Sequence, residues 1–169
     1  MPCRRMKALE PPDSLFVHTA RKWLEMGNRV AAQQELDHVA PEFRSHPDVL
    51  EVTWAVEAQA RNWKACLDLA QAIVTIAPQR PTGWIKRSFV LHRLKRTQEA
   101  LNHLFPAAEK FSHIAIIPYN LACYAAQLRC LWEAERWLKQ ALQIGGAEYR
   151  SMALREQDLR PLWAKIAEL

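Results

Sequence analysis

Small side chains return along this chain every 34 residues, and no other feature constrains its fold so tightly. Ala32, Cys66, Ala100 and Ala134 form one series, and Leu36, Ala70, Leu104 and Leu138 form a second, four positions later. Val39, Ile73, Ala107 and Ala141 stand three further on, while Ala20, Trp54, Ser88 and Ala122 lie twelve before the first series. Offsets of three, four and seven residues fall on one face of an α-helix. Two antiparallel helices interlock closely only where small side chains let their backbones approach, with a larger residue one turn away filling the adjoining groove. Each such pair leaves one apolar side open, which the next pair covers. The recurrence is therefore a signature of stacking hairpins, not merely of amphipathic helices.

The residues between the columns agree. The chain has 169 residues, half of them apolar, with only 4 glycines, and strong helix formers dominate it. A chain of this length buries roughly two-thirds of its unfolded surface and needs no metal or disulfide staple. Asp13 or Ser14, after Pro11 and Pro12, is placed to cap the first helix. Gly27 with Asn28 and then Asn62 mark turns inside the first two pairs, and Pro41, Pro47, Pro78 and Pro81 mark links between pairs. Pro118 falls in the first turn of a helix, where proline is tolerated. Pro106 falls well inside one and is expected to kink or end it.

With these columns the chain resembles the tetratricopeptide repeat family, whose pattern reads W-x2-L-G-x2-Y, then A-x3-F, then P. The fourth repeat matches best, through Leu121, Ala122, Ala125, Ala134, Leu138 and Ala141. The third follows with Trp84, Ser88, Leu91, Ala100, Leu104 and Ala107, and the first with Phe16, Ala20, Trp23, Ala32 and Leu36. The second departs, because Trp54 and Glu57 stand where a small and an apolar residue belong. Sliding its first helix by one residue brings in Ala55 and Ala58, which predicts a turn shortened by one. The resemblance implies an all-α fold: a right-handed superhelical solenoid of about four antiparallel helix pairs. The expected repeats are 13–46, 47–80, 81–114 and 115–146, followed by a capping segment over 147–169. Residues 1–12 are expected to be disordered.

Motifs for chemistry are missing. No GxxxxGK[ST], GxGxxG or HExxH occurs, and the six histidines show no i, i+4 pairing. The four cysteines (Cys3, Cys66, Cys123, Cys130) form no CxxC and have no histidine companions at zinc spacing. They read as reduced thiols. Neither a catalytic residue, a metal site nor a cofactor is expected, so the chain reads as a binding protein and not an enzyme. The N-terminus has no apolar stretch of a secretory signal, and no run nears the roughly 18 apolar residues that span a bilayer. A cytoplasmic location and no membrane involvement are the corresponding expectations. The net charge is +5, and residues 80–110 alone hold seven Lys or Arg against two acids.

In the tetratricopeptide family the first helix of each pair lines an inner groove. Carried over by position, the groove residues implied are Val17, His18, Arg21 and Glu25, then Val52, Ala55 or Val56, and Gln59. The third repeat supplies Ile85, Lys86, Phe89 and Arg93, and the fourth Tyr119, Asn120, Cys123 and Gln127. Val52, Ile85, Phe89 and Tyr119 then make an apolar strip flanked by Arg21, Lys86 and Arg93. Such strips with polar rims mark interaction sites. The expected function is a scaffold or adaptor holding a peptide or helical segment of a partner protein, apolar with acidic residues because the local field is positive. The alternatives are nucleic-acid association through the basic window 80–110, disfavoured because the repeat pattern claims the tryptophans for the core, and weak self-assembly through an imperfect cap.

Overall fold

The computed structural model describes residues 8–166, and the chain divides into two compact units, Met1–Ala77 and Pro78–Leu169. The first contains α1 (Asp13–Glu25), α2 (Arg29–Asp37), a short 3-10 turn over Pro41–Phe43, α3 (Pro47–Gln59) and α4 (Trp63–Ile76). The second contains α5 (Pro81–Arg93), α6 (Thr97–Lys110), α7 (Ile116–Gln127), α8 (Leu131–Ala153) and a 3-10 segment over Gln157–Lys165. Among the described residues there is no strand. In the first unit α1 packs on α2 and α3 on α4, with α3 also touching α1 and α2. In the second, α5 packs on α6 and α7 on α8, and α7 joins the two hairpins through α6.

The recurring columns are the contact surfaces of these hairpins. Ala32, Cys66, Ala100 and Ala134 are all fully buried, as are Ala70, Leu104 and Leu138 of the next column. Ala20, Ser88 and Ala122 on the first helices are equally closed to solvent. Trp54 is the exception in its column and is half-buried, with the Cys66 thiol facing its carbonyl at 3.8 Å.

All four hairpin turns are built alike. The residue at Gly27, Arg61, Lys95 and Arg129 takes a left-handed backbone, with φ of 75°, 57°, 62° and 63°. The next residue sends its N–H back to the carbonyls of Trp23, Glu57, Leu91 and Ala125, at 2.8–2.9 Å. The N–H groups of the left-handed residues reach Leu24, Ala58, His92 and Ala126. This paired closure satisfies carbonyls that a helix end would otherwise leave open. The same residue that ends the first helix then starts the second: Asn28 and Asn62 accept from the N–H of Ala31 and Ala65 at 3.0 and 3.4 Å.

Several sequence expectations change here. The turn of the second hairpin is not shortened. Asn62 stands 34 residues after Asn28 in the same capping role, and α3 has as many residues as α1. Neither Asp13 nor Ser14 caps α1; Asp13 is buried, and its carboxylate accepts from the N–H of Ala40 at 2.7 Å. Pro106 does not end α6, which continues to Lys110. Its ring lies on the exposed side, where water can take the carbonyl that proline leaves without a donor. Past Gly145, α8 runs on to Ala153 through a break at Gly146, whose φ of 61° and ψ of −143° belong to glycine alone. The expected disorder over residues 1–12 lies partly outside the described residues. Within them, Leu9 packs half-buried against the first hairpin's core.

The left-handed turn column predicts opposite signs for two substitutions. A Cβ at Gly27 would meet nothing within 4 Å, so Gly27→Ala isolates backbone strain and should cost about 1 kcal/mol. Lys95→Gly relieves the same strain, partly offset by glycine's freer unfolded chain, and should stabilise by up to about 1 kcal/mol. Thermal and urea unfolding of the two variants measures both.

Candidate functional site

The faces expected to line a groove turn out to be unlike one another. In the first unit, Val17 and Val52 are buried in the core, at 4% and 3% exposure, so each presents little of its side chain to solvent. Their helices cross at α1 and α3, and the contact takes both side chains inward. His18 and Arg21 remain exposed, and with Leu9, Ser14, Val17 and Asp48 they line an open hollow of about 230 Å³. Gln59 points along its own unit and donates from its amide to the Leu24 carbonyl at 3.1 Å. Val56 is buried, while Ala55 is half-buried and Glu25 exposed.

In the second unit, α5 offers the open face. Phe89 is 39% exposed, whereas its neighbours Val90 and Leu91 are buried. Ile85 and Lys86 are half-buried beside it, and Arg93 is exposed at the end of the helix. On α7 the corresponding residues are covered. Tyr119 and Cys123 are each 5% exposed, whereas Asn120 keeps partial access and Gln127, at the end of the helix, is exposed. The expected Phe89–Tyr119 strip therefore loses its second member as a surface residue.

The chain's own C-terminal segment provides that cover. The ring of Tyr149 meets Tyr119 edge-on at 5.5 Å, and it lies across Gly145, where any Cβ would collide with it. Asp158 accepts from the Gln127 amide at 2.6 Å and meets Nε2 of His92 at 2.8 Å. The other His92 nitrogen pairs with the Thr97 hydroxyl, and Tyr124 packs on its ring. Leu159, Leu162 and Ile166 are almost fully buried, the Trp163 indole donates to the Ala153 carbonyl, and Arg150 donates to the carbonyl of Ile166. Burial, reinforced by the negative charges of Glu156 and Asp158, pushes the Cys123 thiol and the Tyr119 hydroxyl well above their ordinary pKa values. Cys123 is thus an inert thiol held in apolar surroundings.

His92, Tyr149 and Asp158 were not among the residues read from the sequence as a site. His92 was within reach, because it lies on α5, the same helix as the expected groove residues Ile85, Lys86, Phe89 and Arg93. Asp158 was not, since the 66 residues separating it from His92 are bridged only by tertiary structure.

Three cations of the basic window bond to groups of the protein itself. Arg87 is buried and donates to the His103 carbonyl at 3.3 Å, with its guanidinium 5.2 Å from the Trp84 ring. Lys110 donates to the Pro78 carbonyl at 2.7 Å and lies over Trp84 and Phe111. Arg96 forms a two-pronged pair with Glu99 at 2.7 Å. The tryptophans are not all core, however: Trp137 is buried, but Trp132 is 71% exposed. No group of three His, Cys, Asp or Glu side chains is gathered as a metal would require, and no helix is long and apolar enough to cross a membrane, among the described residues.

No protein-family model and no curated protein sequence matches this chain. Solved structures do match it in shape. MamA from Desulfovibrio magneticus RS-1 shares 17% identity, with 96% of this chain and 97% of that one covered at a TM-score of 0.72. TTC0263, a thermophilic TPR protein of Thermus thermophilus, shares 18% identity over 93% of this chain and all of its own, at 0.68. YrrB, described as a TPR protein with an unusual peptide-binding site, shares 13% identity over 90% and 84%, at 0.67. At such identities the likeness establishes the fold, which is tetratricopeptide-like and all-α.

Two outcomes follow from the covered face of α7. In the folded protein at pH 8, a thiol reagent should modify exposed Cys130 while sparing Cys123 and Cys66, by at least about a hundredfold in rate; mass mapping of the labelled peptides decides this. Asp158→Ala removes the acceptor shared by His92 and Gln127 and should cost about 1–3 kcal/mol. Hydrogen exchange should then quicken over residues 147–166 before it does in α5 or α6.

Proposed function

We propose that this protein is a protein-interaction scaffold that holds a segment of a partner against the first helices of its hairpins. The observation that carries the reading is Phe89, a large aromatic 39% exposed on a helix whose other apolar side chains are buried or half-buried. Its neighbours on that face are Ile85, Lys86 and Arg93, so an apolar anchor is flanked by two cations. Exposed apolar groups with polar rims are where partners bind. A partner segment with one large apolar residue flanked by Asp or Glu complements this face in shape and charge. The tetratricopeptide-like fold supports the reading, since YrrB, which shares it, is described as carrying a peptide-binding site. The open hollow at His18 and Arg21 offers the first unit a second surface, where Leu9 and Val17 stand among polar groups that include both Arg21 and Asp48.

The engagement of Arg87, Lys110 and Arg96 by groups of the protein itself leaves the basic window poorly suited to tracking a phosphate backbone. That favours a protein partner for this face.

A fluorescent library of short peptides, each with one aromatic or leucine residue among acidic ones, tests the reading directly. Binding should weaken at least about tenfold in Phe89→Ala and again in Lys86→Glu, as expected for an aromatic anchor and a charged rim. Tyr119→Phe should leave it unchanged, because the hydroxyl is covered. Indifference of every bound peptide to Phe89→Ala would remove this face as the site.

A further inference from the structure

The four hairpin turns hold the whole of the protein's net positive charge. Windows from the last residue of each first helix to the second residue of its partner (25–30, 59–64, 93–98 and 127–132) contain seven of the 23 Lys and Arg but one of the 18 Asp and Glu. The other 145 residues carry 16 cations against 17 acids. In the second unit the two turns contain Arg93, Lys95, Arg96 and Arg129 and no acid. Arg96 is taken up by Glu99 just beyond, whereas the side chains of Lys95 and Arg129 have no ion-pair partner among the described residues. The two turns lie on one edge of that unit, because Asp158 joins His92 at the end of α5 to Gln127 at the end of α7.

Two of these cations sit where the backbone least favours them. Lys95 and Arg129 adopt φ of 62° and 63°, a conformation that glycine takes freely and that Gly27 supplies in the first turn. Attraction to the negative end of the preceding helix recovers only part of the strain. A strained residue standing where glycine would be easier is grounds for a functional reading.

Exposed apolar side chains stand among the charges. Leu94 is 37% exposed, Leu131 41% and Trp132 71%, and the Arg136 guanidinium lies 5.4 Å from the Trp132 ring. Phosphate alone would account for the cations, but a nucleic acid gives leucines nothing to bury in. A lipid headgroup layer supplies both: phosphates for the basic groups, and an acyl boundary for leucine and tryptophan. The turns of the first unit combine the same elements, with Arg29, Arg61 and Lys64 beside Met26 and Val30, which are 72% and 61% exposed.

We propose that the hairpin-turn edge of the second unit docks peripherally on an anionic lipid surface, with Lys95 and Arg129 at the headgroups and Trp132 at the acyl boundary. Peripheral docking needs no spanning segment, so it is compatible with the lack of a helix long and apolar enough to cross a membrane among the described residues. The inference rests on Lys95, Arg129 and Trp132, none of which the partner-binding reading uses, and it does not depend on that reading.

The test is flotation of the full chain with phosphatidylcholine vesicles containing about 30% phosphatidylserine, and with phosphatidylcholine alone, at about 0.1 M salt. Binding is expected to the first and not to the second. Each cation near an anionic surface contributes about fivefold, so Lys95→Gly with Arg129→Gly should lower partitioning about 25-fold while leaving the melting temperature unchanged or higher. That separation keeps binding distinct from folding, since both substitutions relieve strain. Trp132→Ser should lower partitioning at least about fivefold. The proposal is overturned if the anionic vesicles do not float the protein, or if neither variant changes flotation. It is also overturned if a single-stranded oligonucleotide is bound and loses affinity in the double variant while the vesicles are ignored.

Discussion

Close approach of helix backbones at the small-residue columns is the constraint on which the rest of this protein depends. Ala32, Cys66, Ala100 and Ala134 admit no solvent, and the column one turn along fills the space they leave. Interiors are packed about as densely as organic crystals, so a residue even two methylenes larger at such a point forces the helices apart. The first helix of each hairpin is then held at a set distance from the second.

The turns repeat as strictly as the packing, and for a related reason. A hairpin that must close at a fixed helix separation has few ways to reverse the chain while satisfying its terminal carbonyls. Here one way is used four times, with a left-handed residue followed by one that both closes the first helix and starts the second. Three of those left-handed residues are cations where glycine would be less strained. The scaffold thus carries its charge at the points where the backbone is least forgiving, away from the helix faces that pack.

The C-terminal segment divides the inner helices into covered and open parts. Leu159, Leu162 and Ile166 complete the core that α7 and α8 leave unfinished, as the end of any stacked array requires. The same segment places Asp158 on His92 and Gln127, and Tyr149 on Tyr119, closing the face of α7. What is left open in that unit is α5, with Phe89 between Lys86 and Arg93. The same piece of chain thus fills the core beside α8 and decides which first helix of that unit stays open.

The sequence by itself determined the packing columns, because a small residue every 34 positions has meaning only if helices meet there. Its prolines and asparagines also marked links and turns, and α3 and α5 begin at Pro47 and Pro81 while Asn28 and Asn62 cap α2 and α4. It misread the second hairpin, since Trp54 in a small-residue column looks like a slipped register until its half-buried place beside Cys66 is seen. It took Val17, Val52, Tyr119 and Cys123 for groove residues, and burial leaves each of them at 5% exposure or less, because position in a repeat says which way a side chain points and not what covers it. Those outcomes depended on contacts between residues far apart in the chain, such as His92 with Asp158, and local pattern carries no information about which distant segment will fill a face. Only tertiary structure could decide that, because burial is a property of neighbours.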